Sequence, residues 1–262
     1  MNTTIDLIAE VAGYLWQRGW AERNGGNTTV RITDEVGDSL RNHAALTAPI
    51  PIGKTLPSLR GHYLYAKGTG KRMRDLARRP MENGSIIRIC DDGAHYEIVA
   101  DQPVMPTSEL PSHLEVQNYL IESGSSYRAT LHTHPIELVA MSHTRRFLDA
   151  DTLTHTLWSM IPETLAFAPL GIGVVPYALP GSQVLADGTL AEIKKHNVVL
   201  WEKHGVFAVG EDIVEAFDEV DVLNKAAILY MSACSMGFIP DGMTDQAMTD
   251  IRQVFHLPDS RK

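Results

Sequence analysis

Apolar positions along this chain recur with two periods, and the switches between them mark out the elements. Ile5, Ile8, Ala12, Leu15 and Trp16 are spaced three or four apart, which predicts a helix ending near Gly19. Thr28 to Ile32 predicts a short strand, entered by the loop Arg23-Asn24-Gly25-Gly26-Asn27. The stretch from Asp34 to Leu59 holds three prolines and no clear period, and reads as an insertion between two strands. Tyr63 to Ala66 predicts the next strand, followed by the loop Lys67-Gly68-Thr69-Gly70-Lys71 and a short basic helix ending before Pro80. Ile86 to Cys90 and Tyr96 to Ala100 flank Asp91-Asp92-Gly93-Ala94, a hairpin signal.

The second half alternates in the same way. A helix after Pro106-Thr107-Ser108 carries Leu110, Leu114, Gln117 and Ile121 on one side, and Arg128 to Thr133 is a strand stopped by Pro135. Helical spacing continues through Met141 and again from Leu153 to Trp158, before a short strand at Val174-Val175-Pro176. Ser182 to Lys195 predicts a helix, Val198 to Trp201 and Val206 to Val209 two strands around a turn, and Glu211 to Met236 the longest helix. Several strand pairs are hairpin-like. The expected fold is therefore an α/β layered sandwich with a central, largely antiparallel sheet flanked by helices, rather than a doubly wound parallel sheet. No repeat, low-complexity tract or charge block suggests a linker, so residues 1–262 are expected to form a single domain.

Composition narrows the partners. Hydrophobic residues make up 44% and charged residues 21%, ordinary for a globular protein. The net charge of -9, from 23 basic against 32 acidic residues, argues against a nucleic-acid or anionic-membrane surface. An anionic substrate would have to be held locally, by backbone amides and a few donors. The first residues carry Asp6 and Glu10 and no basic stretch, unlike a signal peptide, and no segment approaches the roughly 18 apolar residues of a membrane span. Cys90 and Cys234 lack any Cys-x-x-Cys spacing and read as two buried thiols in a reducing compartment, with the cytoplasm as the expected location.

The strongest local candidate chemistry is Leu131-His132-Thr133-His134-Pro135. Residues two apart on a strand point to one face, so both imidazoles can reach one cation, and zinc suits such donors. Two strand histidines that satisfy backbone groups would look the same. His204, in the turn Glu202-Lys203-His204-Gly205, is either a third ligand aimed across a sheet end or a surface histidine. The other histidines, His113 among them, lie at helix ends or in polar segments and are assigned no role. Glu109 stands at a helix start, where Ser108 reads as the N-cap, Glu109 complements the helix dipole and Pro111 occupies the first turn. Asn24-Gly25-Gly26-Asn27 and Gly68-Thr69-Gly70-Lys71 are either plain turns or loops whose amides converge on phosphate.

Taken in order, Gly19-Trp20-Ala21-Glu22-Arg23-Asn24-Gly25-Gly26-Asn27, Lys67-Gly68-Thr69-Gly70-Lys71, Pro106-Thr107-Ser108-Glu109-Leu110-Pro111, His132-Thr133-His134 and His204-Gly205-Val206-Phe207 resemble the class II aldolase/adducin family. The likeness runs from about Glu10 to Phe255. It implies an α/β fold with a central antiparallel sheet, a cyclic homotetramer, and one zinc ion per subunit held by the positions of His132, His134 and His204. It implies a lyase of sugar catabolism that cleaves a ketose phosphate to dihydroxyacetone phosphate and an aldehyde. Glu109 falls where the family's glutamate caps the metal without substrate and acts as base with it. Asn24, Gly26, Asn27, Thr69, Thr107 and Ser108 fall where the family holds phosphate and hydroxyls. Glu163 matches an acidic residue that reaches a neighbouring subunit's site, although its surroundings depart from the usual pattern. Thr69 stands where serine is common and keeps the hydroxyl. The rivals are another sugar-phosphate aldolase, such as one acting on L-fuculose phosphate, a pentulose-phosphate 4-epimerase, a non-catalytic adducin-like assembly protein and a generic zinc hydrolase. The epimerases resemble this chain but carry aspartate at the Glu109 position.

Overall fold

The alternating segments pair into one sheet, in a computed structural model that describes residues 3–258. In chain order the strands are β1 (Asn27–Arg31), β2 (Ile50–Pro51), β3 (Tyr63–Lys67), β4 (Gly84–Ile89), β5 (His95–Ile98), β6 (Ala129–Thr133), β7 (Ile172–Val175), β8 (Val198–Trp201) and β9 (Gly205–Gly210). Across the sheet they run β2-β5-β4-β3-β1-β6-β9-β8-β7. Every neighbouring pair is antiparallel except β7 and β8.

The helices are α1 (Thr4–Gln17), α2 (Asp38–Arg41), α3 (Met73–Leu76), α4 (Pro80–Asn83), α5 (Leu110–Glu122), α6 (Ile136–Met141), α7 (Ala150–Trp158), α8 (Pro162–Phe167), α9 (Gln183–Ile193), α10 (Ile213–Ser235) and α11 (Asp245–Val254). They pack against both faces of the sheet because successive strand residues point opposite ways. On one face Val30, Tyr65, Leu131, Leu200 and Val206 join Ile8 and Leu15 of α1 and Val220 and Leu223 of α10 in a single apolar cluster. On the other, Leu64, Ala66 and Ile87 meet Leu110 and Leu114 of α5, while Val199, Phe207 and Val209 meet Val116 and Leu120 of α5 and Leu185 of α9. Each fully buried Leu or Val here contributes roughly 1.5–3 kcal/mol, so α5 is held chiefly by its apolar stripe.

Local signals explain the principal boundaries. Thr3 and Asp6 form a reciprocal capping box at the start of α1. Asp212 accepts from the N–H groups of Val214 and Glu215 to start α10. α5 departs from expectation: its N-cap is Glu109 rather than Ser108, and no side chain caps it. The Glu109 carboxylate is drawn instead toward other partners, described below.

The proline-bearing segment after β1 does lie between two strands. It supplies α2 and the edge strand β2, which pairs with β5. It then crosses α5, where Ser58 N–H donates to Asn118 Oδ1 at 2.9 Å and Lys54 pairs with Glu115 at 2.7 Å. β2, α2, α4, α8 and α11 went unpredicted. β2 is two residues long, and α11 buries only Met248. Cys90 and Cys234 are free, but half-buried rather than buried. Among the described residues no helix is long and apolar enough to cross a membrane.

Candidate active site

The four central strands bring their ends together at one edge of the sheet. Because β1 runs antiparallel to β3 and β6, and β6 antiparallel to β9, the start of β1 meets the ends of β3 and β6 and the start of β9. Asn27 therefore pairs with His132 in register, and His132 with Phe207. His134, just past β6, is anchored through its N–H to Trp20 O at 2.9 Å. His204 sits in the three-residue connection between β8 and β9, where Lys203 adopts φ 60° and donates its N–H to Ser142 Oγ at 2.8 Å.

Three imidazoles converge there. One ring nitrogen from each of His132, His134 and His204 lies within 4.8 Å of the others, a spacing fit for a single metal ion. His132 Nδ1 donates to Val206 O at 2.9 Å, and His134 Nδ1 donates to the Glu22 carboxylate at 2.8 Å. Those partners fix the tautomers, leaving a lone pair on each Nε2. The two Nε2 atoms stand 3.1 Å apart. Two ring nitrogens at that distance must share a proton or a metal ion, and with His204 beside them this donor set fits a metal. Behind it, the Trp201 indole stacks on His132 with ring centroids 4.4 Å apart. Burial holds the pKa of His132 well below the usual imidazole value, reinforced by His134 and His204, and burial holds that of His204 at about 4. Both are neutral donors at physiological pH, as a metal requires.

Close packing shapes this corner. A Cβ at Gly205 would come within 2.5 Å of Thr133 O and 2.8 Å of both His132 Cε1 and His134 Cδ2, so only glycine lets β9 pass the imidazoles.

Glu109 completes the cluster and is only 5% exposed. Its Oε2 lies 3.5 Å from His132 Nε2 and its Oε1 3.5 Å from His204 Nε2, while Asn27 Nδ2 donates to Oε2 at 2.7 Å. Burial pushes the carboxyl pKa up, against the lowering effects of the Asn27 donor, His134 and Lys67. Lys67, 2% exposed, donates from Nζ to Asn24 O at 3.0 Å, and burial holds its pKa at about 8. Sequence patterning missed this lysine, since it reads as the first residue of a loop after the strand. It missed Glu22 and His113 as well, because both act across long chain separations.

A pocket of about 360 Å³ opens over the cluster. Its wall contains Asn24, Gly26, Asn27, Thr69, Thr107, Ser108, Glu109, His132, His134 and His204, so ten sequence-predicted site residues share one cavity. Glu163 is not among them. It is exposed on α8 and lines a separate cleft of about 850 Å³ with Arg18, Asp218 and Asp221.

Comparison with known proteins finds relatives over nearly the whole chain. Residues 6–231 match the Class II Aldolase and Adducin N-terminal domain. The chain is 58% identical to the rhamnulose-1-phosphate aldolase of Bacteroides thetaiotaomicron, over 97% of this chain and 94% of that protein. It is 31% identical to the rhamnulose-1-phosphate aldolase of Enterococcus faecalis, over 96% of this chain and 90% of that one. A crystal structure of a sugar-phosphate aldolase from Thermotoga maritima superposes with a TM-score of 0.79 at 34% identity, covering 91% of this chain and 98% of that chain.

Proposed function

The chain belongs to the class II aldolase and adducin family, and from that premise we propose that it cleaves L-rhamnulose 1-phosphate reversibly to dihydroxyacetone phosphate and L-lactaldehyde, in L-rhamnose catabolism. It is an aldolase, as its relatives are. The observation that carries the reading is the convergence of three imidazole donors, two of them 3.5 Å from the Glu109 carboxylate, in a pocket walled by two glycine-containing loops.

His132, His134 and His204 would hold one zinc ion per subunit, since zinc takes three neutral imidazoles and leaves a fourth position for substrate. When bound, zinc supplies a Lewis acid that takes up negative charge from the substrate's oxygens. Asn24, Gly26, Asn27, Thr69, Thr107 and Ser108 would hold the phosphate and hydroxyls, and Lys67 supports that wall from beneath by gripping Asn24 O. As the carbon–carbon bond breaks, the alcohol that becomes the aldehyde loses a proton and the carbon left behind gains one. Glu109 is assigned the transfer at carbon, for which a carboxyl pKa raised by burial is suited. Glu163 is assigned the aldehyde oxygen, acting from a neighbouring subunit, which accords with its distance from its own chain's pocket.

The remaining assignments follow the same premise: one domain over residues 1–262, built as a layered sandwich and assembled as a cyclic homotetramer in the cytoplasm. A non-catalytic adducin-like role is disfavoured by the three convergent donors, and L-fuculose 1-phosphate is the alternative substrate. The purified protein should cleave L-rhamnulose 1-phosphate faster than L-fuculose or ribulose phosphates, and a chelator should abolish the activity. Preference for another sugar phosphate, or cleavage that survives chelation, would overturn the assignment.

A further inference from the structure

We propose that His113 is a positioning residue for Glu109, acting through Asn27 to fix which way the carboxylate faces. The proposal rests on the reading of Glu109 as the base.

His113 lies on α5, four residues after Glu109, and is fully buried beneath the ring of Phe207, with centroids 4.9 Å apart. Both its nitrogens are engaged: Nδ1 meets Thr130 Oγ1 at 2.7 Å, and Nε2 meets Asn27 Oδ1. An apolar side chain would fill the same space without the cost of burying a polar ring, so a purely packing role leaves both contacts unexplained.

The direction of every proton in this chain can be worked out from its end. The Glu109 carboxylate accepts, so the Asn27 atom facing it is the amide nitrogen, which donates at 2.7 Å. Asn27 Oδ1 must then accept, and His113 Nε2 carries the proton that it accepts. Burial holds His113 neutral, with a pKa of about 3, so the ring has a single N–H. Its Nδ1 is therefore an acceptor and takes the Thr130 hydroxyl proton. The Thr29 hydroxyl, 2.7 Å from Thr130 Oγ1, closes the chain from behind.

Without the His113 donor, Asn27 can turn its amide, presenting Oδ1 to the carboxylate and losing the bond that aims it. Glu109 would then be free to leave the place where the reacting carbon must meet it. A neutral imidazole with one fixed tautomer makes that rotation unfavourable, although it touches neither substrate nor metal. His113 thus acts chiefly on the turnover step, with a smaller effect on substrate capture because Asn27 also lines the pocket.

The test compares His113→Met, which keeps bulk but has no donor, with His113→Gln, whose amide nitrogen can stand in for Nε2. With metal content equal to the wild type, His113→Met should lower kcat by about 10- to 100-fold, the usual effect of removing a group that orients a functional one, and change KM by less than it changes kcat. His113→Gln should recover most of that loss. In an Asn27→Ala background, adding His113→Met should lower kcat no further, because the effect is routed through Asn27. Equal kcat in all variants, or equal loss in the Met and Gln variants, would overturn the proposal. If His113→Met fails to fold, Thr130→Val takes its place: a kcat lowered by more than KM is raised supports the chain of donors, and a wild-type kcat refutes it. Glu109→Ala separates the two readings. A near-normal rate there would remove the base assignment itself, whereas an inactive Glu109→Ala beside a fully active His113→Met would remove only the positioning role.

Discussion

Each imidazole of the cluster is held differently, and the differences set what single substitutions should do. His132 is locked by a backbone carbonyl, His134 by a carboxylate, and His204 Nδ1 is buried without a hydrogen-bond partner among the described residues. His132→Ala or His204→Ala should abolish stoichiometric zinc binding, and one metal retained per chain would refute the ligand assignment. Glu22→Ala should keep the ion but weaken its affinity by about tenfold, read by competition with a chelator, because the partner that orients His134 is gone. Glu109→Ala should retain zinc while kcat falls by about 100- to 10,000-fold, the range typical of a proton-transfer group. His113 adds a pH dependence. Its folded pKa of about 3 lies below the ordinary value of 6.5, so between the two the unfolded chain binds a proton that the folded one refuses. The stability it contributes is complete above pH 6.5 and is lost as pH falls toward 3, on the order of a few kcal/mol. Urea midpoints should drop over that window, and less steeply in His113→Gln. The histidine pair was legible because two residues apart on a strand share a face. Asn27, His113 and Lys67 were less so, since their roles depend on which strands end side by side.

At the scale of elements, the strands were the most readable part. All but β2 fall within two residues of their predicted bounds, because their apolar runs are bounded by turn residues. The start of α5 was misjudged for an informative reason. Ser108 and Glu109 have the residue types of a cap, but Glu109 is buried against histidines, and no side chain satisfies the helix's first N–H groups. Tertiary contacts outweighed the local preference. The same competition makes the β8–β9 connection sensitive. Gly205→Ala would press a methyl group into Thr133 O and two imidazoles. It should cost about 1–3 kcal/mol, as overpacking typically does, and lower zinc affinity at the same time. A variant with unchanged melting temperature and unchanged affinity would show that β9 has slack.

For the whole molecule, the role proposed for Glu163 is the one that calls for a second chain. Its cleft is separate from the pocket in its own subunit. If it serves a neighbour across a cyclic interface, mixed assemblies of Glu109→Ala and Glu163→Ala subunits should regain activity that neither variant has alone, because some sites then draw an intact residue from each chain. Absence of complementation in verified mixed assemblies would return Glu163 to a surface role. Such a division between chains is invisible to sequence periodicity, which reports only on faces within one chain.

The stacking of Trp201 on His132 has a practical consequence. Of the chain's four tryptophans, this indole lies against a proposed metal ligand, and it is 1% exposed, whereas Trp16 is 42% exposed. An indole in its excited state gives up an electron readily, and an imidazole bound to a cation accepts one better than a free imidazole. Trp201 is thus placed to report on the proposed ion: its emission should dim when metal is added and recover with a chelator, and emission unchanged by either would argue against an ion at His132.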